Sequence, residues 1–196
     1  MTSLRIPFCA ARAALALVLV SCAAQARVTE LVITKVEPFA GGKEWGASGA
    51  YERVTGVAKG ELDPADRRNA VIVNLDLAPR NPRGMVEYQT EFFILRPKDA
   101  AKGNRRLLYE VNNRGRKFLM HWLMDATAQA VSANNDPKDE ADAGNALFLR
   151  MGYTLAWSGW DPDAPKSNNG MAMTAPVAPR NGEPVVRRIR EELVSA

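Results

Sequence analysis

The sequence predicts an α/β fold, in which antiparallel strands lead into a sheet whose parallel part is flanked by helices. Three observations support this. Alternating, β-branched segments dominate the first half of the chain, helical periodicity appears after Arg105, and two apolar strands, 107–111 and 153–158, are separated by the helical patterns. Parallel strands need a long crossover connection, and the helical patterns would supply one. We therefore expect strands 107–111 and 153–158 to be parallel.

The first 26 residues have the layout of a secretory signal peptide. Arg5 and Arg12 precede the apolar run 13–20, and Ala24-Gln25-Ala26 supplies an A-x-A-like cleavage site. The apolar run is well short of the roughly 18–20 residues needed to cross a bilayer. We therefore predict an exported protein, periplasmic or secreted, with residues 27–196 as the mature domain.

Cys22 offers an alternative, because Leu19-Val20-Ser21-Cys22 resembles a bacterial lipobox. In that case cleavage precedes Cys22 and its thiol carries a lipid, which would be the chain's only contact with a membrane. Both alternatives stay open. Cys9 is removed either way, so the mature chain is predicted to rely on its core rather than on disulfides.

Four strands are predicted in the first half, at 29–38, 51–62, 70–77 and 88–95, each from alternating or β-branched residues bounded by Gly or Pro. In the second half, 117–131 has apolar residues at helical spacing. A second helix is predicted from Asp136, with Pro137 at its first position, to Gly152. The strand at 153–158 follows at once and is apolar enough to be buried.

The composition is that of a globular protein, with 46% hydrophobic residues and a net charge of +4 to which Arg5 and Arg12 contribute two charges. The basic clusters are short and separated, and no long Lys/Arg stripe alternates with aromatic residues. We therefore predict no nucleic-acid partner.

No catalytic residue is predicted. A serine hydrolase on an α/β sheet needs G-x-S-x-G, which the chain lacks, and Ser48 and Ser158 are interpreted as turn residues. The single histidine, His121, falls within the predicted helix, where a packing role is favoured. No serine-histidine-acid triad can be assembled from these residues.

No metal and no cofactor are predicted either. The loop clusters 161–163 and 134–136 do not have EF-hand spacing and are explained by turns and helix caps. The early glycines form neither G-x-G-x-x-G nor a Walker motif.

The remaining candidate site is the NNRG loop, which we define as Asn112, Asn113, Arg114 and Gly115. It lies between a buried strand and a predicted helix, where its backbone N–H groups could stabilise a developing oxyanion. The alternative is a loop that satisfies its own backbone. The residues alone favour neither.

At these residues the chain resembles the bacterial secreted α/β hydrolase domain-containing proteins, a branch of the α/β-hydrolase superfamily. The resemblance covers nearly all of the mature chain and rests on the strings GAYERVTG (49–56), DPAD (63–66), DLAPRN (76–81), GMVEY (84–88), LYEVNNRG (108–115), ADAGN (141–145) and WSGWD (157–161).

The resemblance implies an incomplete α/β-hydrolase-like sheet in which the NNRG loop takes the place of the oxyanion-hole loop and Trp157 lies in the next central strand. It implies hydrolysis of a small-molecule carboxylic ester by a complete protein. The superfamily's serine, acid and histidine would follow Ala196, so we expect this chain to be the N-terminal part of a longer protein. We also expect strand 153–158 to leave an apolar edge and poor solubility.

The alternative function is a non-catalytic periplasmic or surface module that binds a ligand through loops such as 160–163. Trp45 and Trp160 would suit carbohydrate stacking, although aromatic residues near strand ends more often anchor a core. The sequence makes no prediction of substrate or of oligomeric state.

Overall fold

The computed structural model of the protein describes residues 27–127 and 135–186. Within these residues, the chain forms a six-stranded mixed sheet, a separate two-stranded ribbon and two short α-helices. The helices are α1 (Leu119–Met124) and α2 (Leu147–Arg150). The strands are β1 (Arg27–Pro38), β2 (Tyr51–Leu62), β3 (Val86–Pro97), β4 (Leu107–Glu110), β5 (Thr154–Ser158), β6 (Met173–Thr174), β7 (Pro179–Arg180) and β8 (Glu183–Pro184).

The main sheet has the order β1-β2-β3-β5-β4, with β6 paired to β3. The three long strands β1, β2 and β3 are antiparallel, and β5 is antiparallel to β3. Among the described strands, only β4 and β5 pair in parallel, in a register that places Leu108 beside Leu155. The antiparallel strands of the first half and the parallel pair of the second half are therefore both present.

The predicted helix-flanked α/β-hydrolase-like fold is wrong for the described residues. The structure is mostly β, and its two α-helices contain six and four residues. Helical periodicity was the sequence evidence for flanking helices. Turns with left-handed backbone interrupt that periodicity, as the next two segments show.

The predicted helix 117–131 forms only as α1. This helix ends at Met124, and the φ of 55° at the next residue, Asp125, lies in the left-handed region. The N–H of Ala126 then donates a hydrogen bond to the carbonyl oxygen of Met120. Residues 128–131 lie outside the described part of the chain. Within α1, Leu119, Met120 and Met124 are buried, but Trp122 and Leu123, which the apolar spacing placed on the same face as Leu119, are exposed.

The second predicted helix, 136–152, is also broken. A 3-10 turn spans Glu140–Ala143, with Asp139 and Asp142 forming a capping box, and Gly144 and Ala146 then both adopt positive φ before α2 begins. The sequence indicated a helix cap at Asp136, but in the structure the cap is Asp139, three residues later. Two residues with left-handed backbone so close together prevent one continuous helix.

The segment 70–77, predicted as a strand, contains turns and a 3-10 turn at Leu75–Leu77. Val71 and Val73 are among the most exposed apolar side chains of the described residues, at 85% and 78%. A β-branched run favours a strand only when neighbouring strands and a core accept it. Here Leu75 packs in a small core with Ala78 and Val86, while Val71 and Val73 point into solvent.

The main core lies on one face of the sheet. Cross-strand partners such as Phe93 and Trp157, or Leu95 and Leu155, point to this face, where the segments before and after α1 and α2 cover them. The rings of Phe93 and Trp157 meet edge to face at 5.6 Å. Trp157 is 1% exposed and therefore anchors the centre of the sheet.

The apolar edge expected at 153–158 does not occur, because β5 is paired on both sides, with β3 and with β4. The edge strand on this side of the sheet is β4, on which Leu107 and Tyr109 are exposed. In the described part of the chain, no helix is long and apolar enough to cross a membrane.

Candidate functional site

The NNRG loop is held together by its first residue. Asn112 is buried; its side-chain oxygen accepts a hydrogen bond from the N–H of Gly115 at 2.8 Å, and its amide nitrogen donates to the carbonyl oxygen of Ser158 at 2.7 Å. Asn112 thereby fixes the loop to the end of β5. Gly115 has a φ of 87°, and a Cβ there would lie 2.5 Å from the carbonyl oxygen of Met171.

Several polar groups of the NNRG loop already have partners. Asn113 and Arg116 exchange backbone hydrogen bonds at 3.0 and 3.1 Å. The Arg114 guanidinium contacts the Asp161 carboxylate at 2.6 Å; this pair raises the pKa of Arg114 and lowers that of Asp161. The role of Asn112, Asn113, Arg114 and Gly115 as an oxyanion loop stays a prediction.

The serines and the histidine considered from sequence contact other groups. Ser48 is buried and its hydroxyl donates to the carbonyl oxygen of Arg150, while the Ser158 hydroxyl pairs with the Tyr109 hydroxyl at 2.7 Å. His121 Nδ1 lies 2.6 Å from the carbonyl oxygen of Ala126. The contacts of these three residues bring no serine hydroxyl to the imidazole.

The two tryptophans considered for carbohydrate stacking differ. Trp45 is buried beside Phe39, with ring centroids 6.1 Å apart, so it belongs to the core. Trp160 is half-exposed and donates from its indole N–H to the carbonyl oxygen of Asn112 at 2.7 Å. Cys22 and the predicted signal peptide, 1–26, lie outside the described residues.

A different site, which the sequence patterns did not reveal, lies on the core face of the sheet. It is a cavity of about 530 Å³ between β1, β2, β3 and the loops that carry Lys117, Asn135 and Lys166. We call it the Lys117 cavity. The residues around it include four cations, Lys35, Arg53, Lys117 and Lys166, and two carboxylates, Glu91 and Asp136.

Lys117 is the most unusual member of this cavity, since it is only 3% exposed. Its Nζ donates to the carbonyl oxygen of Asn135 at 2.6 Å and lies 4.8 Å from the centre of the Phe93 ring. Among the described residues, no carboxylate oxygen lies within 4.0 Å of Nζ. The ammonium is therefore buried, and the described part of the chain gives it no direct counter-ion.

Burial lowers the pKa of Lys117 to about 8, from an ordinary value of 10.5. The more distant carboxylates of Asp136, Glu110 and Glu91 oppose this shift, and the Arg53 guanidinium adds to it. Removal from water is therefore the dominant effect on this amine.

Arg53 is the second buried cation of the cavity, and it is better paired than Lys117. Its guanidinium donates to Glu37 at 2.7 Å and to the carbonyl oxygen of Pro137 at 3.1 Å, and lies 3.3 Å from Asp136. Its Nε is buried and has no hydrogen-bond partner among the described residues. Arg53 Cζ lies 5.8 Å from the centre of the Phe93 ring, so the cationic groups of Arg53 and Lys117 both lie near the same aromatic ring.

Asn135 joins Lys117 to two neighbouring segments. Its side-chain oxygen accepts from the Lys117 backbone N–H at 2.7 Å, and its amide nitrogen donates to the carbonyl oxygens of Gly115 and Asn169 at 2.7 and 2.9 Å. The NNRG loop and the Lys117 cavity are thus joined through one buried amide.

The sequence contains a signal for only part of this site. Arg53 lies two residues after Tyr51 on β2, and side chains two residues apart in a strand lie on the same face. The sequence could therefore have indicated that Arg53 faces the core. Lys117 instead resembled the polar start of an amphipathic helix. In the described part of the chain, no group of three or more His, Cys, Asp or Glu residues is placed to hold a metal ion.

Comparisons of this chain with protein-family models, with curated proteins and with solved structures find no match.

Proposed function

We propose that this part of the chain is a non-catalytic binding module that takes a small organic anion, of the carboxylate class, in the Lys117 cavity. The observation that carries the proposal is the buried Lys117 ammonium, which lines the cavity and has no carboxylate within 4.0 Å among the described residues.

The energetic argument concerns the missing counter-ion. A buried charge without a partner costs several kcal/mol, and a protein normally avoids this by pairing the charge or by neutralising it. The lowered pKa of Lys117 reflects the same free-energy cost of burying the charged amine. A carboxylate in the cavity would supply the partner and would favour the charged amine.

The size and lining of the cavity suit a small organic molecule. Its volume of about 530 Å³ lies within the range of ligand pockets, roughly 300–1,000 Å³. Phe93, Val57 and Met171 provide apolar surface beside the cations. Since Lys35 and Lys166 have exposed side chains, they would attract an anion from solution rather than hold it tightly.

This proposal keeps the binding-module alternative but moves the ligand from the 160–163 loop to the Lys117 cavity. Ester hydrolysis and export of the protein stay predictions. Turnover of p-nitrophenyl esters by the purified protein, abolished by Ser158→Ala, would restore the hydrolytic alternative.

The proposal is tested by calorimetric titration of the purified protein with a panel of small anions: acetate, benzoate, L-lactate and inorganic phosphate. We expect a carboxylate to bind and to raise the thermal unfolding midpoint, because a ligand of the folded state stabilises it. Lys117→Met keeps the length of the side chain without its charge, and should weaken binding at least about tenfold.

Lys59→Met is the matched control, because Lys59 lies on β2, is exposed and pairs with Glu30 outside this cavity. It should leave the affinity unchanged. Equal affinity in the Lys117→Met and Lys59→Met proteins, or no binding of any carboxylate, would refute the proposal.

A further inference from the structure

Lys117 combines three features of a nucleophilic lysine. Its amine is buried, it borders a cavity large enough for a second molecule, and it is oriented by a fixed acceptor, the carbonyl oxygen of Asn135 at 2.6 Å. A lysine becomes a nucleophile when its surroundings favour the neutral amine. The burial of Lys117, which is only 3% exposed, provides such surroundings.

The proton equilibrium of Lys117 supports the same role. With a pKa of about 8, about a tenth of the side chain is neutral at pH 7, whereas an ordinary lysine is almost fully protonated there. The groups that act on this equilibrium from neighbouring segments are Asp136, Glu110, Glu91 and Arg53.

We propose that the Lys117 amine captures a small 2-oxo acid as a reversible imine in the Lys117 cavity. This inference rests on the proposed function: the other cations of the lining, Arg53, Lys35 and Lys166, attract the carboxylate, and the neutral fraction of the Lys117 amine reacts with the adjacent keto group. The apolar surface of Phe93, Val57 and Met171 faces the same space and suits a short hydrocarbon substituent.

The chemistry needs no other reactant. The lone pair of the neutral amine attacks the keto carbon, a C–N bond forms, and the carbonyl oxygen takes up a proton. The resulting carbinolamine expels that oxygen as water and leaves a C=N bond. Both protons of the water come from the amine in the overall balance, and nothing is oxidised or reduced.

The test is reductive trapping with pyruvate and sodium cyanoborohydride, followed by peptide mapping of the wild-type protein by mass spectrometry. We expect the adduct on Lys117 to form at least about tenfold faster than on the exposed lysines Lys59 and Lys98, because Lys117 borders the cavity and they do not. L-Lactate carries the carboxylate without the keto group, so it should compete with pyruvate and form no adduct.

Lys117→Arg keeps the positive charge without a nucleophilic amine, and should abolish the adduct, whereas Lys59→Arg, at an exposed residue outside the cavity, should retain it. Binding of lactate and pyruvate without modification of Lys117 would overturn this inference and leave the proposed function standing. Absence of both binding and adduct would overturn both. Labelling confined to exposed lysines of the wild-type protein would also overturn the inference, without relying on any variant.

Discussion

The carboxylate of Glu110 accepts a hydrogen bond from the indole N–H of Trp157, which links the end of β4 to the buried centre of β5. The same carboxylate accepts the backbone N–H groups of Phe118 and Leu119 at 2.8 and 2.9 Å. One side chain therefore joins the parallel strand pair to the start of α1, and a negative charge there also suits the helix dipole.

Replacing Glu110 with Ala should lower the free energy of unfolding by about 3 kcal/mol, because three donors lose their acceptor in a partly buried site. Glu110→Gln retains one acceptor oxygen and should cost less. Urea denaturation measures both. Glu183→Ala, at an exposed position of β8, is the control and should change stability by less than about 0.5 kcal/mol. Equal effects of Glu110→Ala and Glu183→Ala would contradict this role.

Replacing Asn112 with Ala should destabilise the protein by about 2–3 kcal/mol, since the N–H of Gly115 and the carbonyl oxygen of Ser158 would both lose a buried partner. The adjacent Asn113 is exposed, so Asn113→Ala is a matched control with little expected effect. Thermal denaturation of the two variants compares them directly. Similar midpoints would show that the NNRG loop does not depend on the buried amide.

A comparison of Gly84 with Gly115 distinguishes the cost of backbone strain from the cost of a close contact. Both have positive φ, but a Cβ at Gly84 meets nothing within 4 Å, while one at Gly115 meets the backbone of Met171. Gly84→Ala should therefore cost about 1 kcal/mol and Gly115→Ala about 2–4 kcal/mol. Chemical denaturation gives both values, and an equal cost would argue against the close approach of the Gly115 and Met171 segments.

Sequence patterns predicted the β elements better than the helices, for a physical reason. Strand 153–158 was recognised because its continuous apolar character reflects burial. Strand 29–38 was recognised from alternation alone, although most of its side chains are exposed. Helical spacing at 117–131 does not reveal that Asp125 adopts a left-handed conformation, since a single residue with positive φ leaves the apolar pattern intact. Tertiary contacts decide that conformation.

The Lys117 cavity was hidden for a related reason. A lysine before an apolar stretch is expected on the surface of a helix, where its charge is solvated. Its burial depends on Phe93, which is distant in sequence, and on Asn135, which bonds both to Lys117 and to the NNRG loop. Such a site arises from chain topology rather than from a local motif.

The exposed apolar residues Val71 and Val73 should promote self-association of the protein, because a β-branched, uncharged segment on the surface favours intermolecular pairing. Replacing both with Ser should raise the soluble concentration, measured by light scattering, with little change in the unfolding midpoint. Val54→Ser is the control: Val54 is 2% exposed, so this change should cost about 2–3 kcal/mol of stability. If the doubly substituted protein scattered light as strongly as the wild type, segment 71–73 would not be the cause of self-association.

The stability of the protein should rise with pH above about 8 because of Lys117. In the folded protein its pKa is about 8, whereas in the unfolded chain it returns toward 10.5. Between these values the unfolded chain binds more protons, so raising the pH favours the folded state.

From about pH 7 to about pH 9.5 the gain should be roughly 1–2 kcal/mol in the free energy of unfolding, and Lys117→Met should lack it. The upper limit of the range is set by Tyr51. Burial raises the pKa of Tyr51, so above about pH 10 ionisation of this phenol in the unfolded chain begins to favour unfolding. Urea titrations of the wild-type and Lys117→Met proteins at each pH measure the difference. Parallel pH profiles for the two proteins would mean that Lys117 is not a buried, costly cation, and would remove the physical basis for an anion at this site.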